Sequence, residues 1–137
     1  MIEDLIEDLK RDEGWSAYAY QDSLGFWTIG YGFLVDKRKE VGLPKSIGEE
    51  WLTQAAKERW NELTTRLPWI LDQPDDVKRA LGNMAYQLGV NGVRNFRRML
   101  NALFVGDRKK AAEEAMNSHW AEQTPQRARR VAALLRG

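Results

Sequence analysis

The sequence predicts an α+β fold of two lobes, with a small sheet after the first helix and a long helix leading into a helical bundle. Three observations predict it. Ile2, Leu5, Ile6 and Leu9 recur at i, i+3, i+4 and i+7, one stripe of an amphipathic helix. Residues 15–34 then change to strand formers, among them Tyr18, Tyr20, Phe26, Trp27, Thr28, Ile29, Tyr31 and Phe33. From Ile47 onward the apolar period is helical again.

The first helix is expected at about residues 2–12. Glu3 and Asp4 suit its positive end, and Gly14 is a natural stop just past the other end. Glu13 therefore falls on its C-terminal edge. Asp22-Ser23-Leu24-Gly25 breaks the strand-forming stretch with a tight turn, so two or three short strands are expected. Gly30 and Gly32 suggest bends or a close approach of backbone to a neighbour. Val35 to Ser46 reads as a charged loop.

Ser46 with Glu49 three residues on matches a capping box, predicting a long helix over about 48–66, ended before Pro68. Pro74-Asp75-Asp76 opens another helix, stopped by Gly89 and Gly92. Further helices are expected at about 93–105, 107–117 and 124–135. Thr124 is the expected N-cap of the last, with Pro125 in its first position. No repeat or low-complexity segment is present.

Composition narrows the chemistry. Of 137 residues, 43% are hydrophobic and 30% charged, a globular balance. Without cysteine there is no disulfide, thiol nucleophile or zinc–thiolate site. The single histidine, His119, gives no histidine metal cluster and argues against a Ser-His triad. No apolar run approaches the roughly 18 residues of a membrane span. The acidic start lacks the basic and apolar regions of a signal peptide, so synthesis in a cytoplasm is expected.

Charge is lopsided. Residues 1–93 hold 11 Lys+Arg against 16 Asp+Glu, whereas residues 94–137 hold 10 against 4. The plain reading is a solvated basic helical face. The sharper one is a face for an anionic polymer, nucleic acid or cell wall.

Few polar groups in the first 33 residues are unusually placed. The carbonyl end of the first helix puts partial negative charge beside Glu13, a setting suited to a proton donor. Asp22 sits in a more open turn. Thr28 projects from the next strand, where its hydroxyl can hold a water. Two carboxyl groups in unlike surroundings suit glycoside hydrolysis. A glutamate at a helix end and an aspartate in a turn are also common without any chemistry.

The order of motifs is more specific. Arg11-Asp12-Glu13-Gly14, followed by Ala19-Tyr20-Gln21-Asp22-Ser23-Leu24-Gly25-Phe26-Trp27-Thr28-Ile29-Gly30-Tyr31-Gly32, resembles the phage-type lysozymes, glycoside hydrolase family 24. Asn83-Met84-Ala85-Tyr86-Gln87-Leu88-Gly89 is similar to that family's helix facing the cleft, and Phe96 and Met99-Leu100 follow in register. Ser118-His119-Trp120 and Gln123-Thr124-Pro125-Gln126-Arg127-Ala128-Arg129-Arg130-Val131 resemble its C-terminal signature. The resemblance covers most of the chain; about 36–75 is shorter and poorly matched.

The resemblance implies a lysozyme-like α+β fold as one domain over 1–137. Its N-terminal lobe would span about 13–60, and its C-terminal helical lobe about 61–137 plus helix 1–12. It implies an endolysin that cuts the β-1,4 bond between N-acetylmuramic acid and N-acetylglucosamine in peptidoglycan, with inversion. Glu13 aligns with the general acid, Asp22 with the second catalytic carboxylate, and Thr28 with the hydroxyl that positions water. Leu34, Tyr86, Gln87, Met99 and Glu114 align with substrate-binding positions. Met99 stands where a small polar residue is frequent, and Glu114 where an amide is. No metal, cofactor or nucleic acid is implied, and a monomer is expected. The chain would be made in a host cytoplasm, pass out through a holin and act on the periplasmic wall.

Two alternatives compete. A catalytically weak peptidoglycan-binding domain of the same fold is disfavoured by the intact set Glu13, Asp22 and Thr28. A nucleic-acid-binding helical domain is prompted by Arg127, Arg129, Arg130 and Arg136, but no groove-reading motif accompanies them. Phe33 replaces a histidine frequent in the family; this reads as a lost ion pair and a gained apolar contact that leaves the catalytic step alone. The six Trp read mainly as core, though Trp15 and Trp27 lie where rings can line a cleft.

Overall fold

The computed structural model describes residues 1–35 and 42–137, and the chain divides into two compact units, Met1–Trp51 and Leu52–Gly137.

In the first unit α1 runs Ile2–Glu13. Its ends carry the expected charges, Glu3 and Asp4 in the first turn and Lys10 and Arg11 in the last. It stops at Gly14, whose φ of 70° and ψ of 160° suit glycine alone. No residue of α1 is buried, and its apolar stripe stays between 42% (Leu5) and 58% (Ile2) exposed. The strands β1 (Ser16–Gln21), β2 (Trp27–Gly30) and β3 (Phe33–Leu34) form an antiparallel sheet in chain order. Tyr20 and Leu34 both pair with Thr28, so one row crosses the sheet with Thr28 in its middle. Of the charged loop expected at 35–46, residues 36–41 lie outside the described residues.

The long helix α2 spans Lys45–Arg66, and the boundary between the units falls inside it. It starts earlier than its sequence suggests. The Gly48 N–H donates to the Pro44 carbonyl at 3.0 Å, so the first turn is anchored on Pro44. Ser46 lies within that turn, and the expected capping box does not start the helix.

In the second unit a 3-10 turn, Pro68–Asp72, follows α2. The next helix, α3 (Asp75–Arg94), is broken once, at Gly89, whose φ is 74°. Gly92 lies inside the segment that resumes, so one of the two expected stops is real. Next come α4 (Arg97–Phe104), α5 (Arg108–Met116), a short α6 (His119–Gln123) and α7 (Pro125–Arg136). The Asp107 side chain caps α5 by accepting from the Lys110 N–H, and Ser118 caps α6 by accepting from the Ala121 N–H. Thr124 holds the N-cap position of α7, but its hydroxyl donates to the Trp120 carbonyl at 3.1 Å instead of capping.

Leu63, Ile70, Leu81, Met84, Met99, Leu103 and Leu135 are fully buried and hold this unit together. Arg108 ties its ends. Its guanidinium donates to the carbonyls of Leu135 (2.8 Å) and Leu134 (2.9 Å) at the end of α7 and pairs with Asp76 at the start of α3 (2.7 Å). No helix among the described residues is long and apolar enough to cross a membrane.

Candidate active site

Glu13 is the last residue of α1 and is exposed. Its carboxyl group lies against Gly32, where φ is +71°. A Cβ on Gly32 would run into Glu13 Oε2 and reach 3.0 Å from its Cδ. The glycine is thus needed twice, for the bend after β2 and for room beside the glutamate.

Asp22 closes the turn between β1 and β2. Its Oδ1 accepts from the N–H groups of Leu24 and Phe26, both at 2.9 Å. This is an Asx turn, in which a side-chain carboxylate replaces a backbone carbonyl. The ladder closes on the same residues, the Asp22 N–H donating to the Phe26 carbonyl at 2.8 Å. Asp22 Oδ2 makes no hydrogen bond among the described residues.

Thr28 is 6% exposed, the one buried polar side chain among the described residues. Its hydroxyl donates to the Phe26 carbonyl at a long 3.3 Å, leaving its lone pairs to accept. Asp22 and Thr28 are therefore both referred to Phe26. Leu34, half-exposed, stands beside Thr28 in the next strand.

The remaining sequence-derived positions belong to the second unit. Tyr86 is exposed on α3. Gln87, next to it, accepts a hydrogen bond at Oε1 from the Trp120 indole at 2.9 Å, which leaves its amide NH2 free to donate. Trp120 in turn packs edge-on to Phe96, with ring centroids 5.8 Å apart. Met99 is fully buried; Glu114 is largely covered and pairs with Lys110 at 3.3 Å. Both border a cavity of about 530 Å³ whose wall also includes Phe96, Arg97, Arg98, His119 and Trp120. Met99 and Glu114 are the sequence-derived positions on this cavity; the rest of its wall comes from α3, α4, α5, α6 and the segments between them. Only packing brings them together.

His119 is exposed and lies 3.5 Å from Glu122. No group of three metal-ligating side chains occurs among the described residues. The units divide the charge unevenly: residues 1–51 hold 6 Lys+Arg against 11 Asp+Glu, and residues 52–137 hold 15 against 9.

Comparison with known proteins agrees with this hairpin-and-bundle pattern. The model of the phage lysozyme family matches residues 10–136. The "Pre-baseplate central spike protein Gp5" of Enterobacteria phage T4 is 33% identical over 96% of this chain, which spans 27% of that much longer protein. The "Probable T4-type lysozyme 1" of Dictyostelium discoideum is 30% identical over 98% of this chain and 95% of its own length. Its companion, "Probable T4-type lysozyme 2", is 30% identical over 98% and 94%.

Proposed function

The chain belongs to the phage lysozyme family, a family of glycoside hydrolases, and on that premise we propose that it cuts peptidoglycan by two-carboxylate acid–base catalysis with inversion. The bond in question is the β-1,4 link between N-acetylmuramic acid and N-acetylglucosamine. Lysozyme-type hydrolysis itself follows from the family.

The observation that carries the mechanism is the shared anchoring of Asp22 and Thr28 on Phe26. Asp22 commits Oδ1 to the turn and keeps Oδ2 for a water. The Thr28 hydroxyl donates to Phe26 and can accept that water's second O–H. A water held by both is turned toward the sugar carbon, and Asp22 takes its proton as it attacks. Glu13 protonates the departing glycosidic oxygen from the other face of the sugar. Gly32 supports this role, because its missing side chain is what lets the Glu13 carboxyl rest there. Inversion calls for carboxyl groups roughly 6.5–9.5 Å apart, against about 5–5.5 Å for a covalent route.

In this reading Leu34, Tyr86 and Gln87 contact sugar, Gln87 through its free amide. Met99 and Glu114, which both line the cavity, are the further substrate-binding positions. The chain works as a monomer, without metal or cofactor. As an endolysin it is made in a host cytoplasm and reaches the periplasmic wall through a holin.

The test is the anomeric form of the first product from a defined glycan, followed by NMR. An α-configured product supports attack by water across from Glu13. A β-configured product assigns Asp22 the nucleophile's role and overturns the scheme.

A further inference from the structure

Three aromatic rings gather beside the proposed acid. Trp15 follows Glu13 by two residues, and Tyr31 and Phe33 flank Gly32, the glycine against which the Glu13 carboxyl lies. The Trp15 and Tyr31 rings pack at 5.1 Å between centroids, tilted by 56°. Trp15 and Phe33 converge on Gly30, where an added Cβ would lie 3.7 Å from Trp15 Cζ3 and 3.2 Å from Phe33 Cδ2. Gly30, at φ +68°, leaves bare backbone beside an edge of each ring.

These rings are not core. Trp15 is 67% exposed and Phe33 61%, with Tyr31 at 37%. Exposed aromatic area of this size is costly in water unless something covers it. A pyranose ring suits it. Its C–H faces are apolar and carry partial positive charge, and they meet the negative face of an aromatic ring while the hydroxyls stay in water.

We infer that Trp15 and Phe33, braced by Tyr31, form a stacking platform for a sugar of the glycan next to the bond that Glu13 protonates. The platform sets substrate affinity and register. It takes no part in proton transfer. This rests on the muramidase reading for the identity of the glycan, but its binding is measurable without turnover.

Two measurements test it. In the intact chain, side-chain NMR signals of Trp15 and Phe33 are followed during titration with a chitooligosaccharide. Both ring systems should shift together and saturate; unmoved rings at saturating sugar overturn the platform, whether or not the protein is an active hydrolase. Steady-state kinetics on peptidoglycan fragments then compare Trp15→Ala, Phe33→Ala and Trp15→Phe. Each alanine variant should raise KM about three- to tenfold with kcat and Tm nearly unchanged, the loss of one aromatic contact. Trp15→Phe should recover most of the loss. A KM equal to that of the unmodified chain, or a fall in kcat that tracks Tm, makes the cluster structural and overturns the proposal. If the unmodified chain releases no reducing ends, hydrolysis fails while the titration still decides the platform.

Discussion

Asp22 and Thr28 grip the two ends of one residue: Asp22 Oδ1 accepts the Phe26 N–H at 2.9 Å, and Thr28 Oγ1 donates to the Phe26 carbonyl at 3.3 Å. The carboxylate and the hydroxyl therefore move as the turn moves. Asparagine at position 22 keeps an Oδ1 that can accept both turn hydrogen bonds. Asp22→Asn should fold with a near-normal Tm yet lose most activity. Asp22→Ala should lose both, since it leaves two N–H groups without their acceptor. Thermal melts alongside glycan hydrolysis separate the two effects, and an active Asp22→Asn enzyme would remove Asp22 from the chemistry.

Thr28 permits a cleaner cut. Valine has nearly the shape of threonine without its hydroxyl, and position 28 is buried in the middle strand. Thr28→Val should stay folded and lose about ten- to a hundredfold in kcat, on the scale of one or two lost hydrogen bonds in the transition state. Thr28→Ser should retain much of the rate. A fully active Thr28→Val would show that the hydroxyl serves only the sheet.

Gly32 ties the end of α1 to the hairpin. Gly32→Ala meets the far end of a flexible Glu13 side chain, which can swing away at small cost. The left-handed backbone adds roughly 1–2 kcal/mol. The loss in stability should thus be modest and the loss in activity large, because the displaced group is the proposed acid. Gly106→Ala is the control, with φ +82° and open space around it. It should match the Tm loss and keep its activity; equal activities would dissociate Glu13's position from catalysis.

Stability should depend on pH through Asp76. Its hydrogen bond to Arg108 holds the carboxyl below the usual carboxylate value. A group lowered on folding stabilises above its unfolded pKa, and that contribution fades as pH falls through the folded value. Denaturant melts should therefore show Asp76→Asn weaker than the unmodified chain at neutral pH, with the gap closing in acid below about pH 4. Arg108→Lys should lower Tm at neutral pH, because one ammonium cannot span two carbonyls and a carboxylate as the guanidinium fork does. A gap independent of pH would take the ion pair out of the account.

Opposite charge on the two parts of the chain gives a salt effect. With 15 Lys+Arg against 9 Asp+Glu in residues 52–137, attraction to an anionic wall acts over about 8–10 Å at physiological ionic strength. Wall clearing should weaken as salt rises while Tm holds. Clearing that is flat across salt would leave the basic residues as a solvated face.

Much of this was readable in the sequence wherever the signal is local. The stripe of α1 and the Asp22 turn each rest on neighbours within a few residues. Boundaries failed where another partner won. Pro44 anchors α2 ahead of Ser46, and the Thr124 hydroxyl turns back to Trp120 instead of capping α7. Close approach at Gly32 was foreseeable, but its neighbour was not, since nothing local says that a helix end lies across it. Met99 and Glu114 pointed to the cavity through family resemblance alone, whereas Arg97 and Arg98 on its wall carry no local signal.

The decisive measurement is the rate of peptidoglycan hydrolysis by Glu13→Gln beside the unmodified chain. Glutamine keeps the shape next to Gly32 and cannot donate the proton that the leaving oxygen needs. General acid catalysis is worth about 100- to 10,000-fold, so the variant should bind glycan, melt normally and show at least a hundredfold slower turnover. A folded Glu13→Gln enzyme that turns over at the unmodified rate would contradict the assignment of Glu13 as the acid, and with it the two-carboxylate mechanism.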